Sequence, residues 1–199
     1  MIPIQWAVVK VGGSLFDQPA LGAGLRKWIA ERPPFGFMFV PGGGPMADVI
    51  RDYHRMQKVD EETCHWMAIR VMGINTDLIK SMLPGCAEIQ HPHHRTKSRQ
   101  WVLNAHHFMH ADASLGALPH NWRVTSDSIA ARAAEVGGEK GLILLKSIDL
   151  PEGISWREAG EQGLVDAMFS EVVERAGLNV VWVNFRTYLD QLTAEESRP

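Results

Sequence analysis

Twice in its first fifty residues the chain passes through an apolar stretch, breaks at a glycine cluster and continues with helical spacing. The first passage is "VVKVGGSLFD", Val8 to Asp17, and the second is "FVPGGGPMADVI", Phe39 to Ile50. Ile4 to Val11 is nearly continuous apolar sequence, as is "FGFMFV" before the second cluster. Runs of that kind suit strands buried on both faces. After the first cluster, Leu21, Leu25, Trp28 and Ile29 recur at helical spacing, with Asp17 placed to cap the helix and "ERPP" to end it. After the second, Pro45 suits the first position of a helix reaching about Gln57. A strand, a glycine turn and a helix, repeated, predict a mostly parallel sheet with helices on both faces.

The remainder keeps this alternation. Asp60 to Leu83 has Cys64, Met67, Ala68, Val71, Met72, Leu78, Ile79 and Leu83 at helical spacing, with Gly73 as a point where the helix could bend. "AEIQ" and "WVLN" predict short strands, Ala105 to Met109 a short helix, and "HPHHRTKSRQ" and "LPHNW" loops. "VTSDSIAARAAEVGG" has the form of a capped helix, starting at Thr125 or Ser126 and stopping at Gly137-Gly138. "GLILLKSID" predicts a buried strand, and "SWREAGEQGLVDAMFSEVVERAG" two helices broken near Gly163. "LNVVWVNF" reads as the last strand, "RTYLDQL" as a closing helix and "TAEESRP" as a frayed tail. All 199 residues are expected to form one α/β domain. Ligands of such folds collect at the carboxyl ends of the strands, where both glycine clusters and Lys146 fall.

Lys+Arg number 20 against Asp+Glu 23, a net charge of -3, which argues against nucleic-acid binding driven by bulk charge. No run has the length of a membrane span, and the start lacks the pattern of a secretory leader, so a cytoplasmic protein is expected. Cys64 and Cys86 lack metal or redox spacing and read as reduced thiols.

Four short stretches could carry chemistry. In "KVGGS" the amides of Gly12, Gly13 and Ser14 can point at an anion. Lys10 ends a buried strand and either pairs with an anion or snorkels to the edge. In "PGGGP", Gly42, Gly43 and Gly44 form a second cradle or a loop of close approach. Gly42 to Ala47 also fits a loose G-x-G-x-x-A, but a dinucleotide fingerprint belongs on the first strand of its unit and wants an acidic residue at the end of the next strand, whereas here the next segment is a long helix, and neither cluster is a P-loop. Thr125, Ser126 and Asp127 either cap a helix, or Asp127 orients a lysine or a metal-bound phosphate. Lys146 ends the wholly apolar "LILL" run, with Ser147 and Asp149 behind it. Two lysines at the mouth of one sheet, two glycine loops and an Asp at a helix start suit phosphoryl transfer, which needs positive charge and positioning more than covalent help.

Taken together, "VVKVGGSL", "VPGGGP", "VTSDSIAA" and "LLKSID" resemble, in order and spacing, the amino acid kinase superfamily. The resemblance implies an open three-layer αβα sandwich, ATP with Mg²⁺, and a homo-oligomer (dimer or larger). It implies that Lys10 and Lys146 stabilise the transferring phosphoryl group and that Asp127 organises them. Gly12, Gly13, Ser14, Ser147 and Asp149 would then hold ATP, and Gly42, Gly43, Gly44, Thr125 and Ser126 the acceptor. The chain is short for the family, and the nucleotide-binding stretch after Lys146 is abbreviated. "ADVIRDYH" followed by "ETCHWMAIRVM" resembles the small subgroup that includes the aminomethyl-furanmethanol phosphate kinase of methanofuran synthesis, which implies a phosphate monoester as acceptor.

Such an acceptor calls for further cations, for which Arg51, His54, His65 and Arg70 are the candidates. A carboxylate or carbamate acceptor, anchored by a single Arg with main-chain amides, is the alternative, and a non-catalytic nucleotide-binding protein is another. The His91–His94 stretch reads either as a basic lid or as a solvated loop, and no metal site is expected. Trp66, Trp101, Trp122 and Trp182 suit the core or an interface, and Trp122 is nearest the Asp127 stretch.

Overall fold

The structure, a computed structural model, describes residues 6–32 and 35–196. Its strands are β1 (Trp6–Val11), β2 (Gly36–Pro41), β3 (Ala87–Ile89), β4 (Gln100–Leu103), β5 (Gly141–Lys146) and β6 (Asn179–Asn184). The helices are α1 (Leu21–Ala30), α2 (Pro45–Gln57), α3 (Glu61–Met82), α4 (Ala105–Ala111), α5 (Ser126–Gly137), α6 (Trp156–Glu161), α7 (Phe169–Ala176) and α8 (Phe185–Glu196). The six strands form one sheet in the order β3-β4-β2-β1-β5-β6, and every pairing is parallel. Among the described residues no helix is long and apolar enough to cross a membrane.

Alternation along the strands divides the interior into two layers. Val8, Met38, Val40, Leu142 and Leu144 pack with α3, α4, α5 and α7 on one face. Val9, Val11, Phe37, Phe39 and Leu145 pack with α1, α8 and the end of α3 on the other. Both faces of β1, β2 and β5 are therefore covered, as their unbroken apolar text predicts. Val8 is in register with Leu142 and Lys10 with Leu144. Successive side chains alternate between faces, so Lys10 and Lys146 share the face covered by α5.

Several expectations are corrected. Asp17 does not cap α1, whose cap position is Ala20. A 3₁₀ turn over Gly13–Leu15 and Pro19, which disfavours helical geometry at Gln18, delay the helix, and Asp17 pairs with Arg186 of α8 instead (3.1 Å). The expected fray after Leu192 is helical as far as Glu196, where Glu195 pairs with Lys27 at 3.1 Å. The predicted positions at Ile4, Gln5, Pro33, Pro34 and 197–199 lie outside the described residues.

The His91–His94 stretch is not a lid. It forms a 3₁₀ turn whose Pro92 lies, with Trp6, where a Cβ on Gly137 would fall (3.1 and 2.8 Å). Trp6 opens β1, so this turn sits at the amino end of the sheet, away from the glycine loops. Arg95 stacks over Trp6 (3.8 Å) and fixes it there.

Candidate active site

The centre of the site is an ion triad. Lys10 Nζ lies 2.9 Å from Asp127 Oδ1, and Lys146 Nζ donates to Asp127 Oδ2 at 2.9 Å. Lys146 also donates to the Leu164 carbonyl at 2.7 Å, and its ammonium sits 5.2 Å from the Trp182 ring centre. Lys10 and Asp127 are buried, at 4% and 5% exposure. Burial opposes charge on Asp127, but the two ammonium groups together outweigh it and hold the carboxyl below its ordinary pKa. Burial, followed by the nearby Lys10 charge, lowers Lys146 to about 8. Two cations share one anion in a low-dielectric site, so the cluster carries an excess positive charge that a phosphoryl group would complete.

Asp127 is positioned by a residue that sequence reasoning missed. Asp166 Oδ2 accepts hydrogen bonds from the amides of Thr125 and Ser128 and from the Thr125 hydroxyl, each at 2.9 Å. Its Oδ1 accepts from the Ser128 hydroxyl and from the Met168 amide. The cap of α5 thus comes from the segment between α6 and α7, and the Thr125 side chain does not cap the helix as expected. Burial, followed by the Asp127 charge, raises the pKa of Asp166. The one sequence signal was an acidic residue inside the apolar text "LVDAMF".

The two glycine loops lie against each other. A Cβ on Gly13 would fall 2.4 Å from the Gly44 nitrogen, and one on Gly42 would fall 2.6 Å from the Gly13 nitrogen. Gly44 also has φ +61° as it starts α2. Much of the glycine requirement is therefore contact between the loops themselves. The amide of Gly12, expected to hold phosphate, donates to the Leu145 carbonyl at 2.8 Å and is not available. Among the described residues, the amides of Gly13, Ser14, Gly43, Gly44 and Ser126 donate to no protein acceptor. Ser14 Oγ meets Ser147 Oγ at 2.8 Å, and Arg186 holds the Ser14 carbonyl at 3.0 Å. Asp149 is exposed on the loop after β5.

In front of the loops is a cavity of about 370 Å³. It is lined by Gly13, Ser14, Gly43, Gly44, Arg51, His65, Thr125 and Ser126, with apolar walls from α3 and Trp122. Gly42 does not line it, and its carbonyl accepts from Asn75 Nδ2 at 2.6 Å. Arg51 pairs with Asp48 at 2.6 Å and lies 5.2 Å from the Trp122 ring centre. His65 is corrected as a cation: burial lowers its pKa to about 4, so it stays neutral near pH 7. His54 (bound to the Val59 carbonyl at 2.7 Å) and Arg70 are not among the lining residues. Both thiols are free, and burial pushes Cys86 up to about 12.

No protein-family profile and no curated protein sequence matches the chain. Solved structures do resemble it. Uridylate kinase from Archaeoglobus fulgidus superposes with TM-score 0.64 at 17% identity, over 92% of this chain and 95% of that one. UMP kinase from Ureaplasma parvum gives 0.65 at 14%, over 98% and 96%. UMP kinase from Bacillus anthracis gives 0.63 at 12%, over 92% and 88%. The six-stranded parallel sheet with its covering helices is the α/β fold of these uridylate kinases.

Proposed function

We propose that this chain is an ATP-dependent phosphotransferase that moves the γ-phosphoryl group to a small anionic acceptor, most simply a phosphate monoester, giving a diphosphate. The Lys10–Asp127–Lys146 triad carries the reading. Its surplus positive charge lies between the loop after β1 and the start of α5, beside the cavity. Transfer spreads negative charge over the moving group, and two ammonium groups held in place beforehand stabilise that charge without reorganising. Asp127 keeps them apart and aimed, and Asp166 keeps Asp127 in place. Free amides of Gly13 and Ser14 take donor oxygens, and those of Gly43, Gly44 and Ser126 take acceptor oxygens. Gly12 and Gly42 serve by letting the loops close on β5 and on each other. Ser147 and Asp149 face the nucleotide side.

Both Asp127 oxygens are engaged by lysines, and among the described residues no group of three or more His, Cys, Asp or Glu is placed to hold a metal. Mg²⁺ fits here as a companion of the nucleotide and would supply charge neutralisation to its phosphates. The likeness to uridylate kinases supports the fold of this reading, and the number of free amides supports a phosphate ester with its three terminal oxygens.

A carboxylate acceptor is the second reading. One observation favours it: with His65 neutral, Arg51 is the only cationic side chain among the lining residues. A homo-oligomer is also proposed, on a second copy meeting α2, where Met46, Val49, Tyr53 and Met56 are exposed at helical spacing.

The test is ADP release with Mg²⁺ and ATP across monophosphate esters, aminomethyl-furanmethanol phosphate included, and amino-acid carboxylates. At least one monophosphate is expected to turn over, with Lys10→Ala and Lys146→Ala each slowing it by about 100-fold or more. Unchanged turnover in both variants would overturn the mechanism.

A further inference from the structure

One face of α3 forms a wall from the second glycine loop to the far end of the cavity. His65, Ala68, Ile69 and Met72 all line the cavity, at the three- and four-residue spacing of a single helical stripe. One turn beyond Met72, Asn75 donates to the carbonyls of Gly42 (2.6 Å) and Gly43 (3.1 Å). At 1.5 Å per residue, His65 lies roughly 15 Å along the helix from that anchor and about 10 Å beyond Met72.

His65 is 1% exposed. Its Nδ1 lies 3.1 Å from the Asn121 carbonyl. A carbonyl only accepts, so Nδ1 carries the hydrogen and Nε2 presents a lone pair. Nε2 is buried and has no hydrogen-bond partner among the described residues. The His120 ring stacks beside it (5.8 Å, 24°) and Trp66 meets it edge-on (5.5 Å), which fixes the ring. A buried acceptor without a donor is costly, and the cavity that His65 lines is where a donor can arrive.

We propose that His65 is a specificity residue of the acceptor site, its Nε2 accepting a hydrogen bond from an N–H or O–H group at the end of the acceptor remote from the glycine loops. This rests on the reading of the cavity as the acceptor site. The acceptor class follows from the wall: an anionic head at the free amides, an apolar middle along Ile69, Met72 and Trp122, and a hydrogen-bond donor at the tail. The neutral ring, held below its ordinary pKa, suits an acceptor of hydrogen bonds and not a partner of phosphate.

The experiment is calorimetric titration of the full chain with two pairs of isosteric probes. One pair is 4-(hydroxymethyl)benzyl phosphate and 4-ethylbenzyl phosphate, and the other is 4-(hydroxymethyl)phenylacetate and 4-ethylphenylacetate. In whichever series binds, the hydroxyl probe is expected to bind roughly 10- to 100-fold tighter than its ethyl twin. His65→Phe should erase that preference while leaving the ethyl probe's affinity within a few-fold, and His65→Gln, which keeps an acceptor, should retain part of it. On ¹⁵N-histidine-labelled wild-type chain, the Nε2 resonance should shift with the hydroxyl probe and not with the ethyl one, whether or not the variants fold. Equal binding of the twins, a preference that survives His65→Phe, or no binding in either series would overturn the inference. Binding of the carboxylates alone would overturn the phosphate reading and leave the inference about His65 standing.

Discussion

The two glycine loops follow neighbouring parallel strands and look alike in sequence, yet they work on different surroundings. Lys10 of β1 is in register with Val40 of β2, so charge enters the sheet before the first loop and not before the second. The second cation comes from β5, on the other flank of β1. Both loops border the cavity, but the first also borders a buried ion triad, while the second opens α2. Glycine is needed in each largely because the other is so close. Position after a strand thus decides where a loop can bind, and the neighbour across the sheet decides what it can do there.

The sharpest way to break this comparison is to remove the shared anion. Asp127→Asn leaves two buried ammonium groups without a counter-charge. It should lower turnover about 1,000-fold and cost about 3 kcal/mol in chemical denaturation. An equal loss from Asp48→Asn, at the exposed pair beside the second loop, would show that the two regions do not differ as described.

Next is the pH profile. Lys146, lowered to about 8 in the folded chain, should give kcat/KM of the free enzyme that falls as pH rises through about 8. Between about 8 and 10.5 the unfolded chain binds the proton that the folded chain has released. Over that window this group's contribution to stability therefore rises with pH. Denaturation across the window should show the rise in the wild type and lose it in Lys146→Met.

Gly13→Ala places a Cβ 2.4 Å from the Gly44 nitrogen and should cost about 1–3 kcal/mol, together with activity, by pushing the loops apart. The smallest effect serves as the control. Nothing lies within 4 Å of the point where a Cβ on Gly73 would fall, and this glycine lies inside α3. Gly73→Ala should raise stability by about 0.5–1 kcal/mol through helix propensity, read as a shift in the denaturation midpoint at constant slope.

Much of the architecture was legible because it is written locally. The apolar runs of β1, β2 and β5 and the spacing in α2, α3 and α5 are properties of contiguous text. Asp60, capping α3 through the Thr63 amide at 2.8 Å, sits at the expected start of that helix. Most of the misses are long-range. Asp17 found Arg186, the cap of α5 came from Asp166, and the Gly12 amide went to Leu145. In each case a local rule named a sensible partner, and a group distant in sequence took its place. His65 failed differently: its residue type suggested a cation, and only its burial made it neutral.

By itself the sequence determined which residues end the strands, where backbone can bend sharply and which stretches must be buried. Those follow from side-chain volume, polarity and the absence of a Cβ. The tertiary structure decided that β5 lies beside β1, so that Lys146 and Lys10 meet over one carboxylate. It also decided that the two loops touch and that one face of α3 walls a cavity. Strand order depends on how the crossover helices pack, and desolvation depends on what lies across the fold. Neither is a property of any local stretch of chain, and together they turn two lysines and an aspartate into a site.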